Sequence, residues 1–169
     1  MTLSLDKLNK KSPYALIKLS ELTFSFVTDQ GIHYEVGFYK DTIFMKDGEA
    51  YHFFIDNSED EHGSHDPKIV DVVITLLEEF FAQEPSVMLY ICDPTDNRQA
   101  ARNRLYVMWY HTYAMSHHLT MYTDSIELDG VAYYTGILMK PDHPHHDEIL
   151  VAFQQFLKFL PQRIQVGEK

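Results

Sequence analysis

The chain has 169 residues, of which 25 are acidic and 14 basic, so its formal net charge is −11. Hydrophobic residues make up 45% of it, enough to bury a core within one domain spanning residues 1–169. The negative charge disfavours nucleic acid and anionic membrane as partners, and no apolar run approaches the roughly 20 residues of a membrane helix. With one cysteine and no hydrophobic leader, we expect a cytoplasmic protein.

The first half of the chain alternates apolar and polar residues in a way that is typical of hairpins. Residues 1–12 are expected to be a mobile lead-in, and a short turn of helix is predicted from Pro13 to Leu19. The period-two pattern over Leu22–Phe38, with a polar turn at residues 29–31, predicts one hairpin. A second hairpin is predicted from Ile43–Met45 to Tyr51–Ile55.

Three helices are predicted in the second half, each introduced by a polar residue followed by proline. They start at Asp66-Pro67, Asp93-Pro94 and His143-Pro144. A continuous apolar strand is predicted at residues 86–92, and a hairpin turning at Asp129-Gly130 precedes the last helix. The core face predicted for the middle helix consists of Ala101, Leu105, Met108, Trp109, Thr112 and Tyr113.

Because the hairpins cluster and only one strand lies between helices, the sequence predicts the α+β class. We expect a mainly antiparallel sheet of about six or seven strands with three principal helices, in the order β-β-β-α-β-α-β-β-α.

That order, from about Leu22 to Met139, is similar to the second half of the GNAT acetyltransferase superfamily. The resemblance implies a glycine-rich turn before the first of these helices, whose backbone N–H groups would hold the pyrophosphate of coenzyme A. Residues 57–66 occupy this place, with one glycine and four carboxylates, which disfavours acetyl-CoA as a cofactor.

In the same superfamily, the second helix often carries an asparagine, an alanine and a tyrosine that serves as general acid. Asn97, Ala100 and Tyr106 are the same residue types, but Tyr106 lies two residues further along, about 200° around the helix. The general-acid role is therefore not transferred to Tyr106, and the catalytic residues are unknown. The stretch Ile91–Arg98 also resembles a segment of small uncharacterised bacterial proteins.

The start of the middle helix is the candidate ligand-binding site. Free backbone N–H groups at a helix start, together with arginines four residues apart, are suited to a phosphate or carboxylate. The alternative is a structural helix start whose arginines pair with nearby acids. The candidate residues are Asp93, Asp96, Arg98, Arg102 and Tyr106.

The chain's 10 histidines and its one cysteine are weaker candidates. The histidines group at 62–65, 117–118 and 143–146, in no spacing diagnostic of zinc, so no metal ligand is assigned. Cys92 ends an apolar strand and is expected to be a buried, inert thiol.

These observations favour a degenerate GNAT-like binding or interaction module, which could bind a small anionic ligand or form a homodimer. One alternative is an acyl-CoA-dependent N-acyltransferase that uses a cleft beside strand 86–92. The other alternative is a histidine-based metal-binding protein.

Overall fold

The computed structural model of the chain describes residues 1–42, 44, 50–57, 66–83, 86–92 and 94–166. These residues form four helices and seven strands. The helices are α1 (Leu5–Lys11), α2 (Pro67–Phe81), α3 (Gln99–Ser116) and α4 (His146–Val166). The strands are β1 (Ile17–Lys18), β2 (Thr23–Val27), β3 (His33–Asp41), β4 (Ala50–Asn57), β5 (Val87–Cys92), β6 (Thr120–Leu128) and β7 (Val131–Met139).

The strands are hydrogen-bonded in the order β1-β2-β3-β4-β5-β7-β6. The pairs β1–β2, β2–β3, β5–β7 and β6–β7 are antiparallel, whereas β4 and β5 run parallel. The predicted α+β class and the mainly antiparallel sheet of six or seven strands are therefore confirmed. The predicted element order is present from β2 onward, and α1 and the short strand β1 precede it. None of the helices in the described part of the chain is long and apolar enough to cross a membrane.

The chain divides into two compact units. The first unit comprises residues 1–39 and 53–84, and the second comprises residues 40–52 and 85–169. The single domain inferred from chain length stays a prediction.

In the first unit, the N-terminal residues are part of the fold. Residues 1–12, expected to be a lead-in, contain α1, whose first turn is capped when the Ser4 side chain accepts a hydrogen bond from the Lys7 backbone. Leu3 and Leu8 are buried. The prediction of a helical turn from Pro13 to Leu19 is wrong, because this segment contains the short strand β1, which pairs with β2.

Helix α2 follows its sequence prediction closely. It begins at Pro67 after the N-cap residue Asp66, and its apolar side packs against the sheet of the first unit. The ring of Phe80 stacks on Phe38 of β3 at 4.4 Å between centroids. Its buried apolar residues are Val72, Val73, Leu76, Leu77, Phe80 and Phe81.

The second predicted hairpin lies partly outside the described residues. Strand β3 extends to Asp41 and β4 begins at Ala50, and the two are neighbours in the sheet. Of the short strand expected at 43–45, only Phe44 is described; it lies in a bend and packs edge-on against Phe153 and Phe156 of α4.

In the second unit, the two faces of the sheet carry different helices. On one face, Val87 and Leu89 of β5 belong to an apolar cluster with Phe153 and other residues of α4. On the other face, Tyr90 of β5 packs against α3. The predicted closing hairpin is present: β6 pairs with β7 through a two-residue turn in which Asp129 and Gly130 both have positive φ.

Helix α3 departs from its sequence prediction in two ways. It begins at Gln99 rather than directly after Asp93-Pro94, because residues 94–98 form a turn. Its buried residues are Tyr106, Tyr110, Tyr113 and Ala114, whereas Met108, predicted to be in the core, is 54% exposed. The predicted face included Tyr113 but not Tyr106 or Tyr110, although a tyrosine ring is largely apolar and can fill a core when its hydroxyl is accommodated.

Candidate functional site at the start of helix α3

Residues 94–98 form a tight turn directly before α3. The Asn97 backbone N–H donates to the Pro94 carbonyl at 3.0 Å, and Asn97 adopts a positive φ of 58°. The Arg98 backbone N–H then donates to Asp96 Oδ1 at 3.0 Å. Asp96 thus fixes the turn one step before the helix and is not its N-cap; Arg98 is the N-cap residue.

Two of the predicted ligand-binding residues form an ion pair. The Arg102 guanidinium contacts Asp96 Oδ1, with 30% of the Arg102 side chain and 42% of the Asp96 side chain exposed. Partial burial acts to raise the pKa of Asp96, but the Arg98 N–H and the Arg102 guanidinium outweigh it and hold that pKa below its usual value. The structure therefore brings Asp96, Arg98 and Arg102 together, while Asp93 lies outside the described residues.

The first turn of α3 presents backbone donors. Among the described residues, no group accepts a hydrogen bond from the backbone N–H of Gln99, Ala100 or Ala101, and the Arg98 side chain makes no cap. The exposed Arg98 side chain adds positive charge at the positive end of the helix dipole. Backbone N–H groups of this kind are suited to an anion.

The chain matches a family described as a family of unknown function, DUF6169, over residues 65–155, which is more than half of its 169 residues. The chain belongs to DUF6169. The matched span contains α2, β5, α3 and the β6–β7 hairpin. A search of curated proteins gave no match.

Among solved structures, the DUF6169 chain is similar to a provisionally assigned GnaT-family acetyltransferase from Bordetella pertussis. The two share 13% identity with a TM-score of 0.37, over 78% of this chain and 70% of the other. A likeness at this level carries no argument about activity.

Cys92 and Tyr106 of the DUF6169 chain lie near the start of α3 but are enclosed. Cys92 is fully buried at the end of β5, and this burial raises the pKa of its thiol to about 12, although the nearby Arg102 acts in the opposite direction. Tyr106 is buried with its ring edge-on to Tyr90 at 5.4 Å and next to Trp109. At neutral pH the thiol is protonated and is not a nucleophile.

A layer of tyrosines lies between α3 and the sheet. The Tyr90 hydroxyl donates to Asn103 Oδ1 at 3.1 Å, and its ring is 5.4 Å from that of Tyr110. Burial raises the pKa of both Tyr90 and Tyr110, so their hydroxyls stay neutral. Gly136 of β7 leaves the space that the Tyr90 ring fills, because a Cβ at this position would lie 2.4 Å from the ring.

One buried ionisable pair, Asp41 and His52, was not predicted from the sequence. His52 Nε2 lies 3.1 Å from Asp41 Oδ2, and Asp41 Oδ1 also accepts a hydrogen bond from the Phe44 backbone N–H. Both side chains are buried, and the two residues are eleven positions apart in sequence. No local spacing indicated the pair, because the pairing of β3 with β4 brings them together.

The other histidine groups do not assemble into a metal site in the described residues. There, no group of three or more His, Cys, Asp or Glu side chains could hold a metal ion. His145 contacts Glu148 at 3.1 Å, and His146 contacts Asp147 at 3.0 Å and the Tyr122 hydroxyl at 3.2 Å. His62 and His65 lie outside the described residues.

The start of α2 is closed by protein groups. Asp66 Oδ1 accepts a hydrogen bond from the Lys68 backbone N–H at 2.9 Å, and Asp66 Oδ2 accepts one from the Tyr14 hydroxyl at 2.7 Å. Pro67 has no N–H to offer. Of the acidic loop 57–66, residues 58–65 lie outside the described part of the chain.

Proposed function

We propose that this DUF6169 chain is a non-catalytic, GNAT-like binding or interaction module. The observation that carries the proposal is the Asp66 carboxylate on the first turn of α2. The resemblance to GNAT acetyltransferases implies that the coenzyme A pyrophosphate would be held at this helix start. A carboxylate already occupies the backbone donor there, and a second anion would be repelled by about 1 kcal/mol or more at near contact.

The environment of the reactive side chains near α3 supports the same proposal. Acyl transfer requires a general base or acid, or an activated nucleophile, that can reach a substrate. Cys92 is buried with a pKa raised to about 12, and the Tyr106 ring is packed among other aromatic rings. Neither side chain is set up for such a role.

Thermal unfolding with and without acetyl-CoA tests the proposal. Because a ligand that binds only the native state raises its stability, millimolar acetyl-CoA should leave Tm unchanged. The assay should be repeated with Asp66→Ser, which keeps a capping oxygen but removes the charge. Release of free coenzyme A thiol with amine acceptors would rule out the non-catalytic module. A saturable rise in Tm of the wild type would show that the Asp66 carboxylate does not exclude the cofactor.

A second candidate function is the binding of a small anion at the start of α3. It is favoured by the three backbone N–H groups of Gln99, Ala100 and Ala101 beside Arg98, which have no acceptor among the described residues. Unlike the start of α2, this helix start has no carboxylate from its own cap residue.

Titration of the ¹⁵N-labelled protein with phosphate and pyrophosphate tests this second candidate. We expect saturable shifts of the Gln99, Ala100 and Ala101 amide signals, and loss of saturation in Arg98→Gln. Arg104→Gln is the matched control, because it removes the same charge from an exposed position of α3. Equal weakening by both substitutions would indicate charge screening alone.

A further inference from the structure

Strand β6 forms one end of the sheet in the second unit. It pairs with β7 along its full length, from Thr120–Met139 to Leu128–Val131. Helices α3 and α4 also contact β6. Within the described residues, no strand pairs with its other edge.

The geometry of the hairpin tells which backbone groups point away from β7. A two-residue turn at Asp129-Gly130 closes on a hydrogen-bonded pair, Leu128–Val131, and bonded pairs then alternate along an antiparallel ladder. The outward N–H and C=O groups are therefore those of Met121, Thr123, Ser125 and Glu127, which we call the open edge. The Ser125 N–H donates to Asp124 Oδ1 at 2.7 Å, as expected for an outward group.

Strand β6 has only one of the features that commonly protect sheet edges, namely charged side chains, which here are the acids Asp124 and Glu127. Such edges are usually short, bulged, or interrupted by proline or lysine. Strand β6 has 9 residues in continuous register and contains neither proline nor lysine. At the opposite end of the strand order, β1 has only 2 residues. An extended chain could therefore hydrogen-bond to β6 over several residues.

Charge identifies the kind of chain that fits. Asp124, Glu127 and Asp129 are exposed, and residues 119–139 contain no lysine, arginine or histidine. Side chains on paired strands lie about 5 Å apart, so opposite charges attract and like charges repel there. A second copy of β6 would bring acids toward acids, whereas a basic segment would place cations beside Asp124 on one face and Glu127 on the other.

We propose that β6 binds an extended, lysine- or arginine-rich peptide segment as an additional strand of the sheet. The proposal deepens the interaction role proposed above and rests on it. In the bound peptide, basic side chains lie beside Asp124 and Glu127, and apolar side chains lie beside the half-buried Tyr122 and Ile126. The Asp124 carboxylate must release the Ser125 N–H, which then donates to the added strand.

The test uses a capped nine-residue peptide of lysine and valine, titrated into the ¹⁵N-labelled full chain. Its lysines fall opposite Asp124 and Glu127, and its valines fall opposite Tyr122 and Ile126. We expect saturable shifts of the Met121, Thr123, Ser125 and Glu127 amide signals. A peptide with glutamate in place of lysine should not bind. A fully N-methylated lysine–valine peptide keeps the charge but has no backbone N–H to donate to the carbonyls of β6, so a two-way strand ladder cannot form and it should not bind either.

Two protein variants complete the test. Asp124→Asn/Glu127→Gln should weaken binding about tenfold, the sum of two cross-strand charge pairs. Glu35→Gln/Asp56→Asn removes the same charge from exposed positions of the first unit and should leave binding unchanged. Thr123→Pro removes one outward N–H from an exposed edge position and should abolish binding while the protein stays folded.

Three results would overturn the proposal. The N-methylated peptide could bind as tightly as the unmodified one, or millimolar peptide could cause no shifts along β6. The β6 signals could also shift with protein concentration in the absence of peptide, which would mean that a second copy occupies the edge. None of these depends on acetyl-CoA, so failure here is distinguishable from failure of the non-catalytic module.

Discussion

Helices α2 and α3 invite comparison because a strand and an aspartate–proline pair precede each of them. At α2, Asp66 caps the first turn and the helix begins at Pro67. At α3, residues 94–98 form a turn, and the helix begins at Gln99 with arginine as its cap residue. The same dipeptide therefore precedes a helix that its own aspartate caps in one place, and a turn that ends in an arginine cap residue in the other.

The two helices also attach to the sheet by different means. Helix α2 buries aliphatic and phenylalanine side chains, which need no hydrogen-bonding partner. Helix α3 buries tyrosines, and the hydroxyl of the facing Tyr90 is bonded to Asn103. The contact of an aliphatic helix face depends on the apolar area that it buries and on how well its side chains pack. A layer of tyrosines depends also on whether each buried hydroxyl has a hydrogen-bonding partner.

The largest effect is expected from removing an aliphatic side chain of α2. Leu76 is fully buried, so Leu76→Ala should lower the free energy of unfolding by about 3 kcal/mol through lost burial and the cavity left behind. Urea denaturation followed by circular dichroism measures the change. Met108→Ala, on the exposed side of α3, is the control and should change stability by less than about 0.5 kcal/mol. A loss below about 1 kcal/mol for Leu76→Ala would mean that α2 is not held by this face.

A smaller but still large effect is expected where the tyrosine layer meets β7. Gly136→Ala would place a Cβ 2.4 Å from the Tyr90 ring, which Tyr106 and Tyr110 hold on its other sides. Overpacking of this kind should cost about 2 kcal/mol. Near-ultraviolet circular dichroism should show the disturbed tyrosines, and urea denaturation should give the loss.

The control for Gly136→Ala is Thr123→Ala, at the exposed position paired with Gly136 on β6. It should be nearly neutral. If Gly136→Ala were equally neutral with an unchanged tyrosine signal, the layer would be looser than its geometry indicates, and the contrast with α2 would fail.

The fold was predictable from sequence where one local signal agreed with the tertiary environment. The α2 stripe, the apolar strand β5 and the Asp129-Gly130 hairpin are such places, and all three are present. The start of α3 was not predictable, because Asp93-Pro94 satisfies the rule for a helix start as well as Asp66-Pro67 does. Only the turn that follows, with Asn97 at positive φ and Asp96 bonded to Arg98, distinguishes the two.

The candidate site was predictable only as a set of neighbours in sequence. The grouping of Asp96, Arg98 and Arg102 follows from spacing on one helix start, and their proximity is present. The pairing of Arg102 with Asp96 depends on how the turn folds back, so it remained one of two alternatives. The Asp41–His52 pair depends on the register of β3 and β4, which no local pattern encodes.

An intermediate loss of stability is expected when Asp66 and Asp96 are replaced one at a time. Asp66→Ala removes both the α2 cap and the Tyr14 hydrogen bond and should cost about 1–2 kcal/mol. Asp96→Ala removes a turn hydrogen bond and a half-exposed ion pair and should cost less than about 1 kcal/mol. Paired urea denaturation curves measure the difference. If Asp96→Ala were the more damaging, the turn before α3 would be the more important support, contrary to the comparison.

The smallest expected effect is the contribution of Asp96 to the pH dependence of the free energy of unfolding. The pKa of Asp96 is lowered in the folded chain, since the Arg98 N–H and the Arg102 guanidinium outweigh the opposing effect of partial burial. The unfolded chain therefore takes up a proton first on acidification. The stabilisation is complete above the unfolded pKa of about 3.9 and is lost as the pH falls through the lower folded pKa. Because the pair is half-exposed, it should amount to a few tenths of a kcal/mol.

The measurement is the stability difference between wild type and Asp96→Asn from pH 7 to pH 2. The amide keeps an oxygen for the Arg98 N–H but carries no charge, so the difference should be constant above about pH 5 and shrink below it. Asp142→Asn, at an exposed acid after β7, is the matched control for removing one negative charge outside this ion pair. A difference that grows on acidification would mean that the folded chain holds Asp96 protonated. Arg102 and the Arg98 N–H would then not stabilise the Asp96 carboxylate, and the ion pair would not support the turn before α3.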